Sequence, residues 1–423
     1  MAVEKAQSKQ DKSIQKEDKK SFSNKKRAQD KAQDLSKSLT TSGDIEAIRA
    51  AVNTQIKANV AQEVCDKPTI VIPSGILSMD LAVGNGGLVG GRVMDIFGWE
   101  GTGKTLMCMT IGGYIQRCTK VDPKSGKIVP KTVAFLDAEG TFNRQFAISA
   151  GMDPDKVILV QSTPEKLMTG EDFFNAMKIL LMMGVDYTIL DSCPALLPSQ
   201  ALVNDIGQGQ KATVAQLLSE GIKMSSSLAA ATGQSLIHYI NQKRGRPMAG
   251  PYQKSEIETG GNALKFYSSY RFEVVGAEDI EKNVLGVDGQ YRNKKVGVNS
   301  KVRIIKNKTC PIPPYLASTS FHFDFDVYFE EFRDDEGLDY IRGVDVVKDF
   351  VETGVRAGVI KQQSSWFSFG SLKGNGKASL IKQIKENPTV LNEIRGEVFQ
   401  AMGINDESGM SRLATTSTQE NVA

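Results

Sequence analysis

The stretch Arg92–Thr105, RVMDIFGWEGTGKT, decides the fold. Its first residues form a short apolar run of strand type. Gly98-Trp99-Glu100-Gly101-Thr102-Gly103-Lys104-Thr105 then has the spacing G-x-x-x-x-G-K-T, and LMCMTIGGYIQRC (106–118) continues as a helix. A glycine loop between strand and helix lets backbone N–H groups converge on phosphate oxygens at the positive helix end. Lys104 would reach the β- and γ-phosphates, Thr105 would ligate Mg²⁺, and Gly98–Leu106 would form the phosphate cradle.

Outward from this loop the same alternation repeats. KTVAFLD (131–137), KVILVQ (156–161), YTILD (187–191), SLIHYIN (235–241), YRFEVV (270–275) and KVRIIKN (301–307) read as buried strands, and helical patterns cover 171–183 and 211–231. This predicts an α/β fold with a mostly parallel central sheet and helices on both faces. Phe321, Phe323, Phe325, Val327 and Phe329 alternate with His322, Asp324, Asp326 and Tyr328, the pattern of a half-buried strand. Helical patterns at 343–357 and 377–402 flank the Trp366-Phe367 pair, indicating a small C-terminal domain. Asp191, ending an apolar strand, is placed to hold a magnesium-bound water. The strand VAFLDAEG ends in Asp137 and Glu139, one of which would polarise an attacking water.

Of the 423 residues, 40% are hydrophobic and 24% charged, the balance of a globular protein. No apolar run approaches the roughly 20 residues needed to span a bilayer. Five scattered cysteines without a CxxC pair argue against a disulfide framework or a cysteine-rich zinc site, and place the chain in a reducing cytosol. Two histidines leave little material for His-based metal sites or a Ser-His-Asp triad. Residues 1–43 hold 11 Lys/Arg against 6 Asp/Glu, so the basic excess lies entirely in this leader. Almost devoid of large apolar residues, the leader is expected to be disordered, either a nucleic-acid- or partner-binding arm or a solvating tail. Residues 44–65 carry helical spacing behind Asp44 as N-cap, and a short strand follows at Thr69–Ile72.

The chain resembles the bacterial RecA recombinases over residues 45–402. The resemblance is carried by Ile72–Thr105, VAFLDAEG, LDSCPALLPS, INQKR, ETGGNALKFYSSYR, VRIIKNK and SSWFSFGSLKGNGKA. It implies a RecA-type ATPase core (76–332) with an N-terminal oligomerisation element (44–75), a C-terminal domain (333–403) and a disordered tail (404–423). It further implies ATP and Mg²⁺ as cofactors and helical filaments with ATP bound between subunits. Glu139 matches the glutamate that activates water, and Gln242 the glutamine that senses the γ-phosphate. Lys306 and Lys308 match the lysines that reach the neighbour's phosphates. Asn143 matches a residue at the base edge and Phe146 the aromatic against the adenine, while Lys265 and Phe266 match the intersubunit side of the ATP site.

Two loops match the DNA-binding loops of that family, at 203–211 and 243–258, the second running into Thr259–Asn262. The candidate DNA contacts are Asn204, Ile206, Gly207, Gln210, Lys211, Gln216, Ser219 and Lys223 in and after the first. In and after the second they are Lys243, Arg244, Arg246, Met248, Gly260, Gly261 and Asn262. Expected partners are single-stranded and homologous duplex DNA, further copies of the chain, a loading mediator and a single-strand-binding protein, with no membrane. The chain departs from the family's pattern at Trp99 and Thr102, in longer basic connections at 119–131 and 279–299, at Gln216 where a basic contact is expected, and in a tail without an acidic run. These departures read as a divergent member, such as a phage-encoded one. The rival readings are a ring-forming helicase-type motor, which would lack IIKNK and TGGNALKFY, and a DNA-coating filament without productive turnover.

Overall fold

The computed structural model describes residues 70–404 apart from 123–124, 204–209, 246–255, 259–261, 287 and 314–315. The leader, the helix expected at 44–65 and the tail beyond 404 lie outside the described residues. β1 (Val71–Ile72) pairs antiparallel with β2 (Leu88–Val89), with α1 (Leu77–Ala82) between them. β3 (Arg92–Gly98) leads through the glycine loop into α2 (Lys104–Arg117). A short hairpin, β4 (Thr119–Val121) and β5 (Ile128–Pro130), precedes β6 (Val133–Asp137), α3 (Arg144–Ser149) and β7 (Val157–Gln161). Then follow α4 (Gly170–Met182), β8 (Tyr187–Asp191), α5 (Gln210–Thr232), β9 (Leu236–Gly245), β10 (Glu256–Glu258) and α6 (Ala263–Tyr267). β11 (Tyr270–Leu285), β12 (Tyr291–Asn307) and β13 (Phe323–Tyr328) complete the large sheet's long strands.

That sheet runs β16-β13-β12-β11-β3-β9-β8-β6-β7, where β16 is Gly343–Val344. From β11 to β7 every neighbouring pair is parallel, and β12, β13 and β16 add antiparallel strands at one edge. The inner parallel strands read as unbroken apolar runs because both faces are covered, by separate clusters around Met107 and Ile111 of α2 and around Phe174 and Leu218 of α4 and α5, whereas the edge strand β7, read from the sequence as buried, exposes Ile158 and Leu159. Thr169 begins α4 with a capping box, its hydroxyl and the Asp172 carboxylate satisfying each other's backbone N–H groups. Gly221 lets α5 close onto Phe174: a Cβ there would stand 2.4 Å from the ring.

Three connections differ from the sequence reading. The 119–131 segment forms the β4–β5 hairpin, closed by Gly126 N–H on the Asp122 carbonyl. The 279–299 segment is a continuous two-stranded arm, since β11 and β12 pair from Tyr270–Asn307 out to Leu285–Tyr291. The helical pattern at 377–402 breaks in two, α8 (Lys377–Glu386) and α9 (Val390–Ala401), because Pro388 offers no N–H to continue the ladder.

The alternation at 321–329 is also altered at its end. Phe329 is exposed, whereas Tyr328 is buried against Phe332 and Tyr340. The hairpin β14 (Phe332–Arg333) and β15 (Asp339–Tyr340) covers the side that alternation assigns to solvent. Past α7 (Val346–Arg356), the hairpins β17 (Lys361–Gln363), β18 (Trp366–Phe369) and β19 (Leu372–Asn375) pack with α8 and α9 around Phe367, Leu380 and Ile394. All described residues belong to one compact unit, and among them no helix is long and apolar enough to cross a membrane.

The C-terminal elements grip α1. Buried Arg395 donates to Asp80 Oδ2 at 2.9 Å and to the Gly86 carbonyl at 2.8 Å. Ile76 cannot cap α1 with its side chain; Asp349 of α7 instead accepts from Leu77 N at 2.7 Å and Ser78 N at 3.3 Å. Burial pushes the Asp349 carboxyl up to about 7, against the lowering effect of those donors. In the unfolded chain it titrates near its ordinary value, so between about pH 4 and pH 7 the folded form holds the extra proton. Its contribution to stability therefore falls as pH rises through that interval and is level above it. Asp349→Asn is expected to be more stable than the parent at pH 8, by ~1–3 kcal/mol, with the gap closing toward pH 4. Urea midpoints at pH 5 and pH 8 check this; an equal difference at both would refute it.

Candidate nucleotide and DNA site

The phosphate loop lies at the carboxyl end of β3. Gly101 and Gly103 take φ of +74° and +81°, values that L side chains rarely adopt, and a Cβ on Gly103 would press to 3.0 Å on Val327. Ser300 Oγ donates to the Thr102 carbonyl at 2.8 Å, tying the loop to β12. Lys104 Nζ donates to the Trp99 carbonyl at 2.5 Å, and Thr102 Oγ1 to the same oxygen at 2.8 Å. Burial pulls the Lys104 ammonium below its ordinary pKa, with the carboxylates of Asp191, Glu139 and Glu100 opposing.

Asp137 of β6 lies beside Asp191 of β8, and Gln242 of β9 beside Gly98 of β3, so four strands bring residues at or near their carboxyl ends to one edge. Thr105 Oγ1 donates to Asp191 Oδ2 at 2.7 Å. Burial, reinforced by the charges of Glu139 and Asp137, raises the Asp191 carboxyl to about 7 despite the Thr105 hydrogen bond and Lys104. A hydroxyl and an electron-rich carboxylate in contact form an all-oxygen donor set, which fits a hard divalent cation.

The structure separates the two acids that end β6. Asp137 accepts from Gly140 N at 2.8 Å, Thr141 N at 3.1 Å and Phe142 N at 2.7 Å, so it shapes the loop. Glu139 faces the cleft, where its Oε1 accepts from Ser192 Oγ and from Gln242 Nε2 at 3.3 Å. Ser192 is a residue the sequence reading missed; its one signal was its place directly after Asp191.

A cleft of about 490 Å³ joins these groups to Asn143 and Phe146. Asn143 caps α3, its Oδ1 accepting from Phe146 N at 3.0 Å. The Arg342 guanidinium stands 4.5 Å over the Phe146 ring, a contact with no sequence signal. Residues 100–106 line the cleft, as do Glu139, Asp191 and Gln242, whereas Gly98 and Trp99 do not.

Lys265, Phe266, Lys306 and Lys308 are not among the cleft-lining residues. Lys306 of β12 faces Arg271 of β11, which is level with Asp95 of β3. That register sets Lys306 about 10 Å back along the strands from Gly98 and two strands across, beyond the reach of its side chain. Its ammonium donates to the carbonyls of Lys265 at 2.5 Å and Phe266 at 3.2 Å. Phe266 is 71% exposed.

Of the candidate DNA contacts, Asn204, Ile206, Gly207, Arg246, Met248, Gly260 and Gly261 lie outside the described residues. Gln210 and Lys211 open α5. Gln216, Ser219 and Lys223 follow on one exposed helical face, with Gln216 donating to Glu220 at 2.9 Å. The second loop is not wholly irregular, since Lys243–Gly245 pairs antiparallel with Glu256–Glu258. Within this stem the Lys243 ammonium is ion-paired to Glu273 at 2.5 Å and largely covered, while Arg244 is exposed. Asn262 is exposed just before α6.

Two family models match the chain: the RecA N-terminal domain over residues 47–328 and the RecA C-terminal domain over 348–403. The chain is 33% identical to the protein RecA of Thermus aquaticus over 332 residues, which is 78% of this chain and 85% of that one. It is 31% identical to the protein RecA of Geobacter sulfurreducens over 335 residues, 79% and 86% of the two chains. With the protein RecA of Sulfurovum sp. (strain NBC37-1) it shares 28% over 356 residues, 84% and 90%.

Proposed function

This chain belongs to the RecA family, and from that premise we propose that it is an ATP-dependent DNA recombinase. It assembles as a helical filament on single-stranded DNA and exchanges strands with a homologous duplex. The observation that carries this reading is the separation of Lys306 and Lys308 from the chain's own phosphate loop. Among the described cleft-lining residues the cations are Lys104 and, beside Phe146, Arg342. Beyond Lys104 and the Mg²⁺ that Thr105 and Asp191 would hold, further cations at the phosphates stabilise the transition state of phosphoryl transfer, and a second copy docked over the cleft supplies them. Hydrolysis then depends on assembly.

Within the cleft, Lys104 and the loop N–H groups hold the phosphates. Thr105 and Asp191 hold Mg²⁺, which neutralises phosphate charge when bound. Glu139, oriented by Ser192 and Gln242, takes the proton of the attacking water. Gln242 is followed directly by the Lys243–Gly245 stem, so a change in its hydrogen bonding bears on the DNA loop. Arg244 and the exposed face of Gln216, Ser219 and Lys223 track the DNA backbone, which implies little sequence preference. For filament growth, β7, the outermost strand of the sheet among the described residues, exposes Ile158 and Leu159, apolar side chains that a second copy covers. Residues 44–75 supply the oligomerisation element, and 333–403 form the C-terminal domain.

Strand exchange between a circular single strand and a homologous linear duplex, with ATP and Mg²⁺, tests the proposal. Joint molecules with homologous and not with heterologous duplex are expected. DNA-bound rings in electron micrographs, or ATP turnover indifferent to DNA, would overturn it.

A further inference from the structure

We propose that Glu273 withholds Lys243 from DNA, and so sets how tightly the second loop holds a strand. The inference rests on the DNA-loop reading above and concerns one cation of that loop's stem. Lys243 is the residue of β9 directly after the cleft-lining Gln242, and β3 ends level with Gln242, at Gly98. Glu273 stands on β11 level with Phe97, the residue before Gly98. The ion pair therefore spans the end of β3, closing two strand spacings of about 10 Å with one extended lysine and one glutamate.

This pair is unlike the solvated pairs further out on the β11–β12 arm. Its Nζ–Oε1 distance is 2.5 Å, and each side chain is only 13% exposed. Glu273 spends its other oxygen as well: Arg303 Nη1, opposite it on β12, donates to Oε2 at 3.3 Å. Arg303 Nε in turn donates to the Ser320 carbonyl at 2.9 Å, so the carboxylate is braced from the side away from the lysine. Covered charges are screened less by salt than surface ones, so Lys243 stays committed while Arg244, next along the stem, is exposed.

Released, Lys243 is placed for DNA. Side chains alternate along a strand, and Lys243 falls on the face of β9 that carries Ile237 and Tyr239, which pack in the cluster under α4 and α5. From that side of the sheet α5 presents Gln216, Ser219 and Lys223 to solvent. A phosphate can recruit Lys243 only by displacing Glu273, and one charged acceptor for another is a small gain. The exchange would also leave a covered carboxylate with one cation fewer. The stem therefore meets a strand with one exposed cation, Arg244, where its sequence carries two.

The test is binding of a fluorescein-labelled oligothymidylate to the full chain, with Mg²⁺ and the β,γ-imido analogue of ATP, followed by anisotropy across a salt series. Each phosphate contact on a single strand contributes about 0.7 to the slope of log affinity against log salt. Glu273→Gln is expected to steepen that slope by about 0.7 and to tighten binding by about threefold to tenfold at low salt. Lys243→Gln should keep the slope within about 0.2 of the parent's, whereas Arg244→Gln should lower it by about 0.7. Combining Glu273→Gln with Lys243→Gln separates a released lysine from a general loss of negative charge: the gain should vanish. A slope lowered by Lys243→Gln as much as by Arg244→Gln would place Lys243 on the DNA already and overturn the inference. So would a gain that persists in the double variant, or no gain from a folded Glu273→Gln chain. Should Glu273→Gln fail to fold, the Lys243→Gln slope still decides. Failure of the parent to bind the oligonucleotide would overturn the DNA-loop reading itself.

Discussion

Glu139→Gln is expected to retain nucleotide-dependent assembly on single-stranded DNA and to lose ATP turnover by a factor of about 10²–10⁴. The substitution changes one group and keeps the architecture around it. Glutamine has the same shape, and its amide oxygen still accepts from Ser192 Oγ, so the contact that fixes the side chain survives. The loop does not depend on Glu139, because its N–H groups at Gly140, Thr141 and Phe142 are held by Asp137. The phosphates and Mg²⁺ are assigned to Lys104, Thr105 and Asp191, none of which contacts Glu139 by a hydrogen bond among the described residues. What disappears is the proton acceptor, so kcat should fall while the affinity for ATP stays within about twofold. The measurement is DNA-stimulated phosphate release with filament length followed in parallel by microscopy. Turnover at the parent rate would remove Glu139 from its assigned role, and loss of filaments together with turnover would make it structural.

How much of this was legible in the sequence differs between parts of the site, and the difference is one of range. The phosphate loop and the strand ending in Asp191 are local: the glycines, Lys104 and Thr105 act within one turn of chain, and each strand is apolar because both faces are covered. The choice between Asp137 and Glu139 is open from the residue pattern alone and rests on the family resemblance, and its physical reason appears only in the fold, where three N–H groups close on Asp137 and leave Glu139 facing the cleft. Ser192 and Arg342 are long-range. Arg342 meets Phe146 only because the 332–340 hairpin folds onto the end of β13, and that hairpin also reverses Tyr328 and Phe329 relative to their alternation. The β11–β12 arm was missed for a related reason. Its outer half is mostly polar and held by cross-strand ion pairs such as Lys295–Asp279, and its apolar residues Ile280, Val284 and Val296 pack against the distant 332–340 hairpin, so no sustained apolar alternation announces it. Lys306 and Lys308 are the extreme case: apart from the resemblance carried by VRIIKNK nothing in a strand-end lysine pair signals a phosphate, and the register that sets Lys306 back from its own loop exists only in the folded sheet.

Those two lysines carry the second large effect. Lys306→Ala with Lys308→Ala is expected to cut DNA-stimulated hydrolysis by about a thousandfold, the scale of a transition-state cation supplied from a neighbour, while the isolated subunit binds ATP as before. Lys306 lies about 10 Å back along the strands from its own phosphate loop, so its loss should leave that loop's affinity unchanged. The decisive measurement mixes this double variant with Glu139→Gln. Each alone is defective, the first lacking the lysines it presents to a neighbour and the second lacking the base in its own cleft. At a junction where the double variant contributes the cleft and Glu139→Gln the lysines, both requirements are met again. Random stacking in a head-to-tail filament makes about a quarter of junctions of that kind, so an equimolar mixture should recover about a quarter of parent turnover. If instead the lysines served the cleft of their own chain, no junction in the mixture would be complete, and activity would stay at the level of the variants alone.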